Sequence, residues 1–198
     1  MRRKKLESKD MAVFDQIASE ADVGYLGIMT KDGYPRVIPV NFISIDRVIY
    51  FHGAVEGEKY DLLVLTPRVT FSVDIPLSII PSYWLSDNNA GGATHLFKSV
   101  LIKGRAGIVN DKNARCFALQ KLMEKYQPEG NFLPITSGEK EYDKILLITA
   151  VFRIDADDVT IKVKLPTDKP EGYKLSLIEN LRKRGTPIDL KTADEIEG

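Results

Sequence analysis

The chain has 198 residues, 43% of them hydrophobic, and its 28 Lys and Arg balance its 28 Asp and Glu. That composition belongs to an ordinary globular protein, and the absence of a positive excess excludes a general affinity for nucleic acid or acidic membranes. The length suits one substantial core with added elements rather than two full domains.

In chain order, the first periodic stretch runs from about Asp10 to Ala21. Phe14, Ile17, Ala18 and Ala21 share one helical face, and Asp10 or Ser8 can cap the start. Val23 to Thr30 reads as a strand, Lys31-Asp-Gly-Tyr34 as a hairpin turn, and Pro35 to Ile45 as an alternating run. A turn over Ser44 to Arg47 leads to a third strand, Val48 to Phe51. The segment His52-Gly-Ala-Val-Glu-Gly-Glu-Lys59 follows, then a short helix, Lys59 to Leu65, closed by Pro67. Val69 to Val73 is a fourth strand. Ile75 to His95, with Pro76, Pro81, Asp87-Asn-Asn89 and Gly91-Gly92, reads as a long irregular loop of the kind that forms lids or binding elements.

Lys98 to Val109 returns to strand character, with Gly104 marking a bulge or a close approach. Asp111 to Tyr126 is the clearest helix, with Phe117, Leu119, Leu122 and Met123 as its apolar side. A second loop, Gln127 to Asp143, precedes a strand pair, Ile145 to Ile154 and Val159 to Leu165, joined at Asp155-Ala-Asp-Asp158. After Pro166 the composition shifts. Residues 1–165 are expected to form one domain and 166–198 an extension, with a helix from Tyr173 to Arg184 stopped by Gly185 and a mobile acidic end, Asp189 to Gly198. Six or seven short strands in meander order point to a mainly β fold, a closed barrel with flanking helices. A small barrel fills its own interior, so a ligand would bind on the outer wall or between subunits.

The basic start Met1-Arg-Arg-Lys-Lys5 has no apolar core after it, so no secretory signal is expected, and no run reaches membrane-spanning length. Cys116 is the only cysteine, which excludes an internal disulfide and multi-cysteine metal sites; a cytoplasmic setting is the simplest match. His52 and His95 are the only histidines and no HExxH spacing exists, so no metal site is expected.

The most informative stretch is His52 to Lys59. Gly53 and Gly57 open backbone conformations and close approaches where a strand gives way to a helix. Free N–H groups and the positive end of the helix dipole face an anion there, and Lys59 adds a full charge. That combination suits a phosphate, although the same pattern also occurs in turns that bind nothing.

The ordered series Val23-Gly-Tyr-Leu, Gly33-Tyr-Pro35, Ile38-Pro-Val-Asn41, Ile49-Tyr-Phe-His-Gly-Ala54, Gly57-Glu-Lys59, Pro67-Arg-Val-Thr-Phe71, Lys98-Ser-Val100 and Gly104-Arg-Ala106 resembles the pyridoxamine 5′-phosphate oxidase-like flavin-binding proteins, in the branch of the nitroimidazole-resistance proteins. The resemblance implies a split β-barrel of FMN-binding type, a homodimer with FMN at the subunit interface, and an FMN-dependent oxidoreductase acting on a small molecule such as a nitroaromatic or quinone-like acceptor. It implies phosphate contacts from His52, Gly53, Ala54, Gly57 and Lys59. A wall along the isoalloxazine would come from Val37, Ile38, Pro39, Val40 and Asn41, with closure by Ser99 and Val100 from either subunit. No catalytic side chain is implied.

Several residues keep a second reading. Asn41 could satisfy backbone groups at a strand irregularity, His52 could be a core-edge histidine, Ser99 could be structural, and Arg68 could cap a strand. Tyr83 and Trp84 either cover the flavin or pack at the interface. A non-catalytic FMN store or sensor, and a haem-binding split barrel using His52 or His95, are the alternative functions. The Asn- and Gly-rich stretch Ser82 to Thr94, Leu96-Phe97 where the branch often has tyrosine, and the tail beyond residue 166 depart from the branch.

Overall fold

In the computed structural model, residues 6–85 and 89–198 are described. Met1–Lys5 and Asp87–Asn88, read above as a basic start and part of a loop, lie outside them. The described residues form eight strands, β1 (Glu7–Ser8), β2 (Gly24–Met29), β3 (Pro35–Val40), β4 (Phe42–Ile45), β5 (Val48–Ala54), β6 (Arg68–Ile80), β7 (Thr94–Ile108) and β8 (Thr149–Lys164). The helices are α1 (Met11–Glu20), α2 (Glu58–Leu65), α3 (Lys112–Tyr126), α4 (Asp143–Ile148), α5 (Glu171–Arg184) and α6 (Pro187–Glu197). The strand order is β3-β2-β6-β7-β8-β5-β4, with β1 paired to β8.

The chain divides into two units. One comprises Asp10–Val73 and Val100–Thr160, and the other the described parts of Met1–Lys9, Asp74–Ser99 and Ile161–Gly198. The long strands β6, β7 and β8 each contribute to both.

The larger unit is a barrel by necessity. The two strands at the ends of the order, β3 and β4, are consecutive in the chain and separated by Asn41 alone, so the sheet must curl until its ends meet. The run from Pro35 to Ile45, expected as one alternating segment, is therefore two strands with different partners: β3 pairs with β2 and β4 with β5. Tyr126 of α3 secures this corner. Its hydroxyl accepts the Phe42 N–H at 2.9 Å, lies 2.7 Å from the Asp22 carbonyl, and hydrogen-bonds the Asn41 side chain. Phe14, Phe42, Phe51, Phe71 and Phe152 are fully buried in the core. Gly24 is required there, because a Cβ at that position would fall 2.0 Å from the Phe71 ring. Gly33, at φ 86°, makes the β2–β3 hairpin turn.

Three expectations for this unit change. β5 continues through His52, Gly53 and Ala54, each paired with β8, so these are strand residues rather than part of a loop. Asp143 to Ile148 is the helix α4, and β8 runs unbroken from Thr149 to Lys164, so Asp155 to Asp158 is exposed strand and not a turn. Three aspartates in four successive positions look like a turn, yet a strand accepts them where no layer covers either face. Phe117 of α3 is half exposed, while Cys116, Ala118 and Leu122 are buried.

In the smaller unit, β6 extends to Ile80, which shrinks the irregular stretch expected over Ile75 to His95. Strict alternation continues through Val69, Phe71, Val73, Ile75 and Leu77, all buried, and Pro76 falls at an outward position. A proline is tolerated there because β2 pairs with β6 only over Val69 to Ser72. The C-terminal stretch, expected to be mobile, is the ordered helix α6. Thr186 and Asp189 form a capping box, and Gly185, at φ 69°, separates α6 from α5. Asp189 is completely buried. It accepts hydrogen bonds from Ser78 Oγ at 2.5 Å, Arg184 Nε at 2.7 Å and Thr186 Oγ1 at 2.6 Å. Thr192 Oγ1 accepts the Ser78 N–H at 2.9 Å, covering a backbone donor of β6.

The Arg184 guanidinium beside Asp189 holds its carboxyl far below the usual 3.8. A depressed carboxylate contributes stability above the unfolded value and loses it as pH falls below that value. Asp189→Ala is expected to lower unfolding free energy by about 2–4 kcal/mol in denaturant titration, less than for a fully buried pair because Arg184 keeps part of its side chain in water. The difference from wild type should shrink between pH 4 and pH 2.

Candidate functional site

The end of β5 and the start of α2 form the candidate site. Gly57, at φ 98°, is the N-cap of α2, a conformation that favours glycine, and it leaves the first-turn N–H groups of the helix without intrahelical partners. Lys59, in that first turn, folds back over β5. Its ammonium donates to the His52 carbonyl at 3.2 Å and lies 5.9 Å from the centre of the Phe51 ring. The space it takes belongs to Gly53: a Cβ there would meet Lys59 Nζ at 2.5 Å. Gly53 therefore serves a close approach by the lysine itself.

Lys59 makes no ion pair among the described residues. Burial lowers its pKa, as expected for an ammonium drawn partly out of water with no counter-charge. His52 keeps an exposed edge, yet protein around the ring lowers its pKa below 6.5, with the Lys59 charge as the second cause. Two groups beside each other thus both resist positive charge. An anion would relieve both.

Arg36, which sequence reasoning passed over, reaches this region. It forms an ion pair of 2.6 Å with Glu58, the first residue of α2. It shares strand parity with Ile38 and Val40 but lies near the strand end, where it stays exposed. Half of the signal was available: a cation at an inward position near a barrel mouth has no core to enter.

The other expected residues are distributed as the pleat dictates. Val37 and Pro39 point outward and are exposed, Ile38 is half-buried, and Val40 is buried in the core. Asn41 hydrogen-bonds the Tyr126 side chain at the barrel corner. Ser99 is half-buried and Val100 is buried. His52, Gly53 and Lys59 are brought together, with Ala54 and Gly57 flanking them in the chain.

A hollow of about 720 Å³ opens between the β2–β3 turn and α2. Asp32, Glu58 and Asp61 line it, opposed by Lys31 and Arg36, so it is a poorer seat for a phosphate than the uncompensated Lys59. No cluster of His, Cys, Asp and Glu suited to a metal ion occurs among the described residues, and among them no helix is long and apolar enough to cross a membrane.

The sequence profile of pyridoxamine 5′-phosphate oxidase matches residues 10–163. The chain belongs to that family. Its fold is the split β-barrel seen in similar solved structures. A flavocytochrome, Anf3, from Azotobacter vinelandii has a TM-score of 0.69 and 20% identity, with 83% of this chain and 72% of that one covered. A candidate 5-nitroimidazole antibiotic resistance protein from Bacteroides thetaiotaomicron has a TM-score of 0.66 and 22% identity, covering 80% and 86%. A FAD and heme binding protein from Mycobacterium smegmatis has a TM-score of 0.63 and 14% identity, covering 80% and 73%. No curated protein sequence matches the chain.

An NMR titration of His52 should give a pKa below 6.5. Lys59→Met should raise it, because the nearby positive charge is removed while burial remains. The sign for folding follows: as pH falls below 6.5 the unfolded chain takes up the proton first, so this group lowers stability in that window. A His52 pKa unmoved by Lys59→Met would separate the two side chains electrostatically.

Proposed function

We propose that the chain binds FMN and acts as a flavin-dependent oxidoreductase on a small molecule, with nitroaromatic or quinone-like acceptors as the class. The observation that carries this reading is Lys59: a half-buried ammonium, without a carboxylate, beside the N-terminus of α2. Membership of the pyridoxamine 5′-phosphate oxidase family supports it, as does the appearance of flavin chemistry in the names of two similar structures.

In this reading Lys59 and the first-turn N–H groups of α2 hold the phosphate, with Gly57 keeping the approach open. Arg36 neutralises Glu58, whose carboxylate would otherwise repel the phosphate. Val37 and Pro39 offer outward apolar surface for the ring, and Ser99 a hydroxyl. Val40 and Val100, being buried, would present main-chain groups. Bound there, the flavin would supply the electron transfer, and the protein would hold it and exclude water. A homodimer with the cofactor at the interface completes the proposal, since the wall residues Val37 and Pro39 are uncovered in one chain.

Each charge-assisted hydrogen bond to a phosphate is worth about 1.5–3 kcal/mol. Lys59→Ala should therefore weaken FMN binding by roughly 10- to 150-fold in a flavin-fluorescence titration, with thermal unfolding little changed. Unchanged affinity removes Lys59 from the phosphate site. Anaerobic NADH or NADPH should bleach the bound flavin; stoichiometric FMN that stays oxidised across a panel of donors would favour a non-catalytic binding protein. A Soret band in the purified protein would favour haem.

A further inference from the structure

A further hollow, of about 550 Å³, opens in the larger unit between α1 and the turn that joins β4 to β5. Ile45 pairs with Val48, so that turn consists of two residues, Asp46 and Arg47. Both have positive φ, 50° and 65°. A two-residue hairpin turn of this kind is usually Asn-Gly or Asp-Gly, because glycine takes the second position without strain. An arginine there costs stability, and such strain persists where the side chain has a task.

The fold alone does not supply that task. Arg47 donates to Asp15 of α1 through Nε at 3.3 Å and Nη2 at 3.0 Å. Both partners are half exposed, and an ion pair so placed contributes little. The remaining guanidinium nitrogen, Nη1, makes no hydrogen bond among the described residues, and neither does the Asp46 carboxylate or the Ser44 hydroxyl. These side chains line the hollow together with Ala18 and Ile43, which add an apolar surface. A cation with donors to spare and an unpaired carboxylate, adjacent in the chain, thus share one small cavity. The volume falls within the range of about 300–1,000 Å³ usual for small-molecule sites, where apolar surface surrounds a few convergent polar groups.

We propose that this hollow binds a free α-amino acid with an aliphatic side chain. Its carboxylate pairs with Arg47, its ammonium with Asp46, and its side chain meets Ala18 and Ile43. A zwitterion satisfies two opposite charges at once, where a simple acid or amine leaves one of them unmet. The turn lies at the opposite end of β5 from His52 and Gly53, and the proposal does not rest on FMN binding.

The test uses the full chain and three probes: L-leucine, L-leucinamide, which lacks the carboxylate, and 4-methylpentanoate, which lacks the ammonium. In slightly acidic buffer, NMR titration should show leucine binding about tenfold more tightly than either analogue. The backbone amides of Ile43, Ser44 and Asp46 should shift. Arg47→Gly should weaken leucine about tenfold and leucinamide less than about twofold. Asp46→Asn should weaken leucine about tenfold and 4-methylpentanoate less than about twofold. Glycine and asparagine both accept positive φ, so the hairpin is retained, and Arg47→Gly should hold or raise the melting temperature. A melting temperature lowered by Arg47→Gly would assign the arginine to the fold and overturn the proposal. So would absent leucine binding, equal affinity for the three probes, equal effects of a substitution on all of them, or shifts confined to other residues.

Discussion

A lysine ammonium partly withdrawn from water, with no carboxylate to meet it, is the interaction on which the functional account turns. Withdrawing a charge without compensation costs free energy, so proteins usually supply a partner or let the group lose its proton. Lys59 has only a carbonyl and an aromatic face. The neighbouring histidine cannot share the load, since its own charged form is disfavoured by burial and by Lys59. The chain holds a local electrostatic deficit that an anionic ligand would fill.

What fixes Lys59 in place is the barrel. Closure through Asn41 places β4 beside β5 and β5 beside β8, and the pairing of Gly53 with Ala150 sets the strand over which the lysine lies. Gly53 provides the space, and the positive-φ N-cap at Gly57 turns the chain so that α2 begins one residue before Lys59. Removing side chains at two positions thus orients a third. The same economy appears at Gly24, where the missing Cβ admits the Phe71 ring.

Much of this was legible in the residues alone. The Asp-Gly turn, the Asp10 and Asp111 caps, the Gly185 stop and the grouping of His52, Gly53 and Lys59 follow from local chemistry. Other features depended on partners far along the chain. Pro76 resembles a strand breaker until β2 is seen to leave β6 after Ser72. Asp155 to Asp158 reads as a turn unless β8 is known to run on uncovered. The acidic C-terminus looked mobile because Asp189 draws its stability from Ser78 and Arg184, and Ser78 lies more than a hundred positions away. Asn41 stands at a break that periodicity cannot reveal, since inward and outward alternation continues on both sides of it. Arg36 is not legible as a site residue in the sequence because its partner, Glu58, lies on another element 22 positions away.

The most direct measurement of the central claim is the pKa of the Lys59 ammonium, read by NMR on side-chain-labelled protein with and without FMN. Without ligand it should lie below the ordinary 10.5, and FMN should raise it, because a phosphate stabilises the charged form. A value at 10.5 in the free protein, or one that FMN leaves unmoved, would contradict the account.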